Sequence, residues 1–221
     1  MNKLTTISLC FLFLTTAALS AQNAHEPRAE QMATEMLTRA SEKVKSFTSM
    51  EIEFSYEMEN SAMGISESMS GKLLAKGDKY RMIVGDNVFI SDGETVWNYL
   101  DDLYEIHINY VENMEGGLTP TALLENFEDE YRGKYIRQEA HKGKTVNIID
   151  LVPTTPQSFF KYRVAIDAAD DMIIYTIAYD RHGGTYTYSL DKVLTNHNIS
   201  DAVFVFNKDE FPSDIDIIDM R

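Results

Sequence analysis

His197 is the only one of the five histidines with a carboxylate two or four residues after it, Asp201. Two donors in what reads as a loop fall short of the three or four protein ligands that a zinc site uses. His25 stands near the expected start of the mature chain, and His141 and His182 sit in Gly/Lys-rich turns. His107 alternates within an extended run, 104–110, and reads as a solvent-facing strand residue. The acidic groups Asp101-Asp102, Glu128-Asp129-Glu130 and Asp170-Asp171 fall at loops or element ends, where they read as solvated charge. There is no Gly-x-Ser-x-Gly elbow and no phosphate-cradling glycine loop. The expectation is a protein that is not an enzyme, with no catalytic residues, no metal and no cofactor.

The chain is rich instead in soft and aromatic apolar side chains. Once the first 21 residues are set aside, ten methionines, twelve tyrosines and nine phenylalanines remain. Methionine fills irregular space and tolerates several ligand shapes, and tyrosine pairs an apolar face with a polar tip suited to a cavity mouth. Each of these residues could equally be packed core, since any half-open sheet needs an apolar face.

Residues 1–21 read as an export signal: Lys3, an uncharged run from Ile7 to Leu19, then Ser20 and Ala21. The run is short and broken by threonines, unlike a membrane span. Cys10 lies inside it, where a lipidated cysteine would close the run. The expected domain plan is therefore 1–21 as signal peptide and 22–221 as a single domain in the periplasm. Without Cys10 the mature chain has no cysteine, so packing alone must hold the fold. Lys3 is the one charged residue among the first 21, which leaves 19 basic against 35 acidic residues, a net charge of −16. Such a field repels nucleic acid and anionic lipid headgroups, so neither nucleic-acid binding nor stable membrane insertion is expected.

Apolar residues Met32, Met36, Leu37, Ala40 and Val44 recur at helical spacing and predict a helix over 30–46. The period then switches to two. Met50, Ile52, Phe54, Tyr56 and Met58 alternate with Glu51, Glu53, Ser55, Glu57 and Glu59. Further strands are expected over 69–75, 80–84, 88–90, 95–100, 104–110, 134–139, 145–152, 160–166, 172–180, 185–190, 202–206 and 215–218. Thr119-Pro120 supplies a cap and a first-turn proline for a short helix through Phe127. This order predicts a mainly β (α+β) fold, a curved antiparallel sheet with helices on its concave side.

Two segments carry a family resemblance: Lys76-Gly77-Asp78-Lys79-Tyr80-Arg81-Met82, and Ser91-Asp92-Gly93-Glu94-Thr95-Val96-Trp97-Asn98-Tyr99. They resemble the aromatic-Arg-aromatic strand and the Ser-Asp-Gly-x-x-Val-Trp-x-Tyr hairpin of the LolA periplasmic lipoprotein carriers. The resemblance implies a half-open antiparallel barrel of about eleven strands with a helical lid over an apolar cavity. It implies a cavity lined by Met32, Met36 and Leu37 on the lid helix, Phe54, Tyr56, Tyr80, Met82, Trp97 and Tyr99 on strands, and Leu123, Leu124 and Phe127 on the second helix. Where the family has Arg-Pro at a lid latch, this chain has Lys76-Gly77. Lysine lacks the planar fork of donors, which leaves Lys76 and Arg81 as latch candidates.

The implied function is a monomeric periplasmic chaperone. It would take acylated lipoproteins from an inner-membrane release complex, shield their acyl chains, and pass them to an outer-membrane acceptor. The alternatives are a lipid or lipoprotein sensor and a glycolipid carrier of the same half-barrel fold.

Overall fold

The computed structural model describes residues 14–113 and 127–221. Its first element is helix α1, Leu14–Lys45, which runs through Pro27 and begins further upstream than the apolar spacing predicts. Ala33, Leu37 and Ala40 are fully buried at i, i+4 and i+7, with Met36 and Val44 flanking them. The buried stripe is narrow and mostly of small side chains, which lets the helix lie close to what it covers. Lys43 and Lys45 occupy the last turn, where cations complement the exposed carbonyls. The Ser46 amide, which donates to Glu42 O at 2.9 Å, closes the helix.

Twelve strands follow: β1 Met50–Asn60, β2 Ile65–Lys76, β3 Lys79–Val84, β4 Asn87–Ser91, β5 Thr95–Leu100, β6 Glu105–Tyr110, β7 Tyr131–His141, β8 Lys144–Pro153, β9 Phe159–Asp167, β10 Ile173–Asp180, β11 Thr185–Thr195 and β12 Asp216–Asp219. They form one open sheet in the order β12-β6-β5-β4-β3-β2-β1-β11-β10-β9-β8-β7. Two antiparallel meanders, β1–β6 and β7–β11, are joined side by side by the β1–β11 pair. The half-open, mainly antiparallel architecture is the expected one, and the strand expected over 215–218 is β12, at the edge of the sheet. That strand runs parallel to β6, pairing Ile218 with His107. Register shifts between Glu53/Phe54, Tyr135/Arg137 and Ile173/Tyr175 mark bulges, which increase the local twist of the sheet.

Two expected elements differ. Residues 202–206 do not form a strand: Asp201–Phe204 is a 3-10 turn in which the Ala202 amide donates to the Ser200 hydroxyl. Tyr104 is not extended but left-handed (φ 57°), ending the 3-10 turn Asp101–Leu103 before β6. α2, Phe127–Glu130, meets the expected second helix at Phe127, and residues 114–126 lie outside the described residues.

Both faces of the sheet are covered in part. On one face α1 packs over Ile149, Leu151, Val164, Ile166 and Ile173. The same face continues across β11, β1, β2 and β3 through Ile52, Phe54, Leu73 and Met82. On the opposite face Tyr99, Ile106, Ile108 and Ile215 form one cluster, and Val146, Ile148, Ala165 and Tyr175 another. Strand β8 is therefore buried on both sides, which explains its almost unbroken apolar run from Val146 to Ile149.

Candidate functional site: the helix-bearing face

The helix sits close to the sheet because β7 has a glycine beneath it. A Cβ at Gly133 would stand 3.3 Å from both Ala33 Cβ and Leu37 Cδ1, and 3.4 Å from Leu151 Cδ2. Beside this contact a cleft of about 310 Å³ opens between Thr34, Leu37, Phe127, Tyr131 and Gly133. That volume lies at the lower end of the roughly 300–1,000 Å³ of ligand pockets. Two ion pairs tie α1 to the sheet. Lys134 Nζ lies 2.8 Å from Glu26 Oε1, and Arg39 Nε donates to both carboxylate oxygens of Asp171 at 3.1 Å. Asp171 holds a left-handed backbone (φ 58°) at the β9–β10 turn.

An aromatic row crosses the same face from β7 to β1. Tyr131 meets Tyr162 edge-on at 5.5 Å, Phe159 packs between Tyr162 and Tyr186, and Tyr188 lies 4.9 Å from Tyr56. Burial pushes the Tyr162 and Tyr188 phenols up to about 12, so both stay neutral. One strand further on, the Phe54 ring lies across Gly71, where any Cβ would overlap it.

Of the twelve cavity candidates, Met36, Leu37 and Phe127 meet in the cluster under α1, and Phe54, Tyr80 and Met82 in the adjoining one. Tyr56 shares their face, paired with Met69 and Tyr188, and Met32 is half-buried on α1. Leu123 and Leu124 lie outside the described residues.

Trp97 and Tyr99 do not join this set. Register pairs Trp97 with Ile90 and Ile108, and Tyr99 with Val88 and Ile106, all on the opposite face. There Phe206 stacks on Trp97 at 5.4 Å and Phe211 packs on Tyr99 at 5.0 Å. The physical reason is that β5 has apolar residues on both sides, so alternation alone cannot say which side faces the helix. Phe206, Phe211, Ile215 and the buried Phe204 form a C-terminal layer absent from the sequence reading. The Phe-x-Phe spacing at 204–206 was its one signal, and it reads equally well as a strand.

Lys76 and Arg81 serve that layer and not the lid helix. Lys76 Nζ donates to Ile199 O at 3.2 Å and pairs with Asp201 Oδ1 at 3.2 Å. Arg81 reaches Val203 O at 3.4 Å and Glu210 Oε2 at 2.6 Å. Among the described residues, the ion pairs that hold α1 are Glu26–Lys134 and Arg39–Asp171.

The polar candidates also move. His107 faces the helix-bearing side, its side chain 23% exposed, with Nε2 2.6 Å from Glu105 Oε2. Asp201 pairs with Lys76 and Lys79, while His197 pairs with Glu51 at 3.2 Å, so these two do not share a site. No cluster of three or more potential metal ligands occurs among the described residues.

An open, mostly antiparallel sheet covered in part by one helix, with a cleft beside it, defines the class of half-open barrel folds. Residues 45–207 match the family described as outer membrane lipoprotein carrier protein LolA, and the chain belongs to that family. No curated protein matches. An uncharacterized conserved protein from Thermus thermophilus has a similar structure, with TM-score 0.58 and 14% identity over 85% of this chain and 99% of that one. The lipoprotein LppX of Mycobacterium tuberculosis follows at TM-score 0.48 and 12% identity, over 77% and 98%. A LolA superfamily protein of Nitrosomonas europaea gives 0.43 and 10%, over 79% and 97%. No helix among the described residues is long and apolar enough to cross a membrane.

Proposed function

We propose that this chain is a non-enzymatic periplasmic carrier that shields the acyl chains of lipoproteins between an inner-membrane donor and an outer-membrane acceptor. The observation that carries the reading is the continuous apolar face from β7 to β3, of which α1 covers one part through a narrow stripe of small side chains beside an open cleft. Lifting such a helix exposes apolar sheet without breaking a strand pair. Each methylene an acyl chain buries there contributes about 0.8 kcal/mol, so a short length of chain offsets the two exposed ion pairs on α1. Residues 1–21 act as the export signal, cleavage near Ala21 leaves α1 starting at Gln22, and the carrier works as a monomer. Handover follows from higher affinity at the acceptor, since the sequence has no phosphate-cradling glycine loop through which a nucleotide could drive it.

Residues 22–221 titrated with an environment-sensitive hydrophobic probe provide the test, with competition by a synthetic acylated lipopeptide, its deacylated form and a glycolipid. Displacement by the acylated lipopeptide alone is expected. Displacement by the glycolipid alone would replace lipoprotein with glycolipid as cargo, and saturable binding by none would refute the carrier reading.

A further inference from the structure

Cys10 is the chain's one cysteine and lies in the expected export signal, so methionine thioethers are the only sulfur that an oxidant meets in residues 22–221. Among the described residues three methionines are open to solvent: Met63 at 68%, Met220 at 47% and Met69 at 37%. Met63 stands in the turn between β1 and β2, and Met220 follows β12 at the far edge of the sheet. Met69 lies within the helix-bearing face. Register pairs it with Tyr56, which is paired in turn with Tyr188, so Met69 ends the aromatic row. Its sulfur reaches over the β3–β4 turn, Sδ standing 3.9 Å from the position that a Cβ would take at Gly85. Along β2 the next residues on this face are Gly71, which the Phe54 ring covers, and the buried Leu73. In the other direction the next is Glu67, so Met69 is the last apolar side chain before the face turns polar. Met82 shares the face one strand further on, but at 4% exposed it is shielded.

We propose that Met69 is a site of reversible oxidation by two-electron oxidants such as hypochlorous acid, and that its sulfoxide weakens the hold of the apolar face on acyl cargo. In the forward step an S–O bond forms as the O–Cl bond breaks. The sulfur gives up two electrons, which leave on chloride, and the proton of the acid passes to water. In the reverse step a methionine sulfoxide reductase takes the oxygen off as water while two thiols become a disulfide. The thioether is soft and apolar and fits several ligand shapes, whereas the sulfoxide places a polar oxygen at the end of the aromatic row. An acyl chain lying against that oxygen strips its water and offers no donor in return. The inference rests on the carrier reading and adds regulation to it: oxidants at the open end of the face loosen the cargo, and reduction restores the grip.

The test treats residues 22–221 with an equimolar amount of hypochlorous acid, maps each methionine by peptide mass spectrometry, and titrates the product with a fluorescent acyl probe. Met69 should gain oxygen ahead of Met82, and probe affinity should fall about five- to tenfold, the size of one partly hydrated polar group left without a partner. Methionine sulfoxide reductase with a dithiol should return the affinity to its starting value. Met69→Leu keeps an apolar side chain that takes up no oxygen. It should bind the probe like the untreated wild type and stay within about twofold of that after treatment, whereas Met63→Leu should lose affinity as the wild type does. Melting temperatures of treated and untreated protein separate a local effect from unfolding: a large drop shared by wild type and Met69→Leu would assign the loss to the fold and overturn the site. Met69 remaining reduced while Met82 is oxidised would also overturn it, as would undiminished binding by protein fully oxidised at Met69. Absence of saturable probe binding before any treatment would overturn the carrier reading, and the effect on cargo with it.

Discussion

Placing a side chain at Gly133 asks whether α1 is a lid that can lift by itself. Gly133 is not among the positive-φ positions, so what it provides is space. An alanine methyl would stand 3.3 Å from Ala33 Cβ and Leu37 Cδ1 and 3.4 Å from Leu151 Cδ2, a few tenths of an ångström too close. Leu151 sits in β8 between two neighbouring strands, so the helix must give way. Relief of glycine's entropy cost within a strand returns about 0.5–1 kcal/mol. Overpacking costs about 1–3 kcal/mol. Gly133→Ala should therefore range from neutral to about 2 kcal/mol destabilising, and Gly133→Val, with two more methyl groups in the same gap, should reach the upper end. If that strain falls on the helix alone, about 1.4 kcal/mol raises the lifted population tenfold. Hydrogen exchange read by mass spectrometry should then show residues 30–45 exchanging about tenfold faster in Gly133→Val, with 146–152 unchanged. The reasoning fails if both segments accelerate together, because α1 would then be part of the core and not a lid.

Asp171→Asn keeps a residue that tolerates the left-handed backbone while removing the charge that holds Arg39. The pair is partly exposed and worth about 0.2–1 kcal/mol, so exchange in α1 should rise by less than about fivefold, an effect that disappears in high salt. On the opposite face, a Trp97→Ala and Phe206→Ala double-mutant cycle should give a coupling of about 0.5–1.5 kcal/mol in denaturant unfolding, with Phe206→Ala leaving acyl-probe affinity within about twofold. A loss of probe binding there would return Trp97 to the cavity. Asp167 is nearly buried, and the hydrogen bonds from Lys144 and the Ala169 amide hold its carboxyl below its ordinary 3.8. Its folded pKa is depressed, so its contribution is present above the unfolded value and is lost as pH falls below it. The gap in melting temperature between wild type and Asp167→Asn should therefore close as pH drops from about 6 to about 3.

Where one face of an element is charged, the sequence shows its place plainly. In β1 four glutamates alternate with Ile52, Phe54 and Tyr56, and the structure keeps that alternation, helix-side in and acid-side out. In α1 the 3.6 period identifies Leu37 and Ala40 as buried. Legibility ends where both faces are apolar. Trp97 and Val96 are apolar neighbours on opposite faces of β5, and only the pairing of Trp97 with Ile90, in the row that Arg81 carries to the C-terminal layer, decides that Trp97 turns away from the helix. Arg81 follows the same face, so its partners are Val203 and Glu210, more than 120 residues distant, which no local pattern encodes. His107 misleads for the converse reason: a polar residue on an alternating strand reads as exposed, and here it stands on the helix-bearing face, partly buried beside Glu105 and opposite Asn98.

The seam between β1 and β11 has a consequence for how the chain is made. β1 pairs along its length with β2 on one side, and on the other with Thr185–Thr195, which are synthesised after every other described strand but β12. A growing or translocating chain can therefore complete the β1–β6 meander early and must then hold a long edge of β1 unpaired until β11 emerges. That edge is bordered by Glu51, Glu53, Glu57 and Glu59. Their mutual repulsion discourages a second nascent copy from adding its own β1 in register, whereas β11 offers Lys192 opposite Glu53 and only uncharged residues opposite Glu57 and Glu59. The acidic side of β1, which has no part in the cleft, thus keeps the seam open for its own chain.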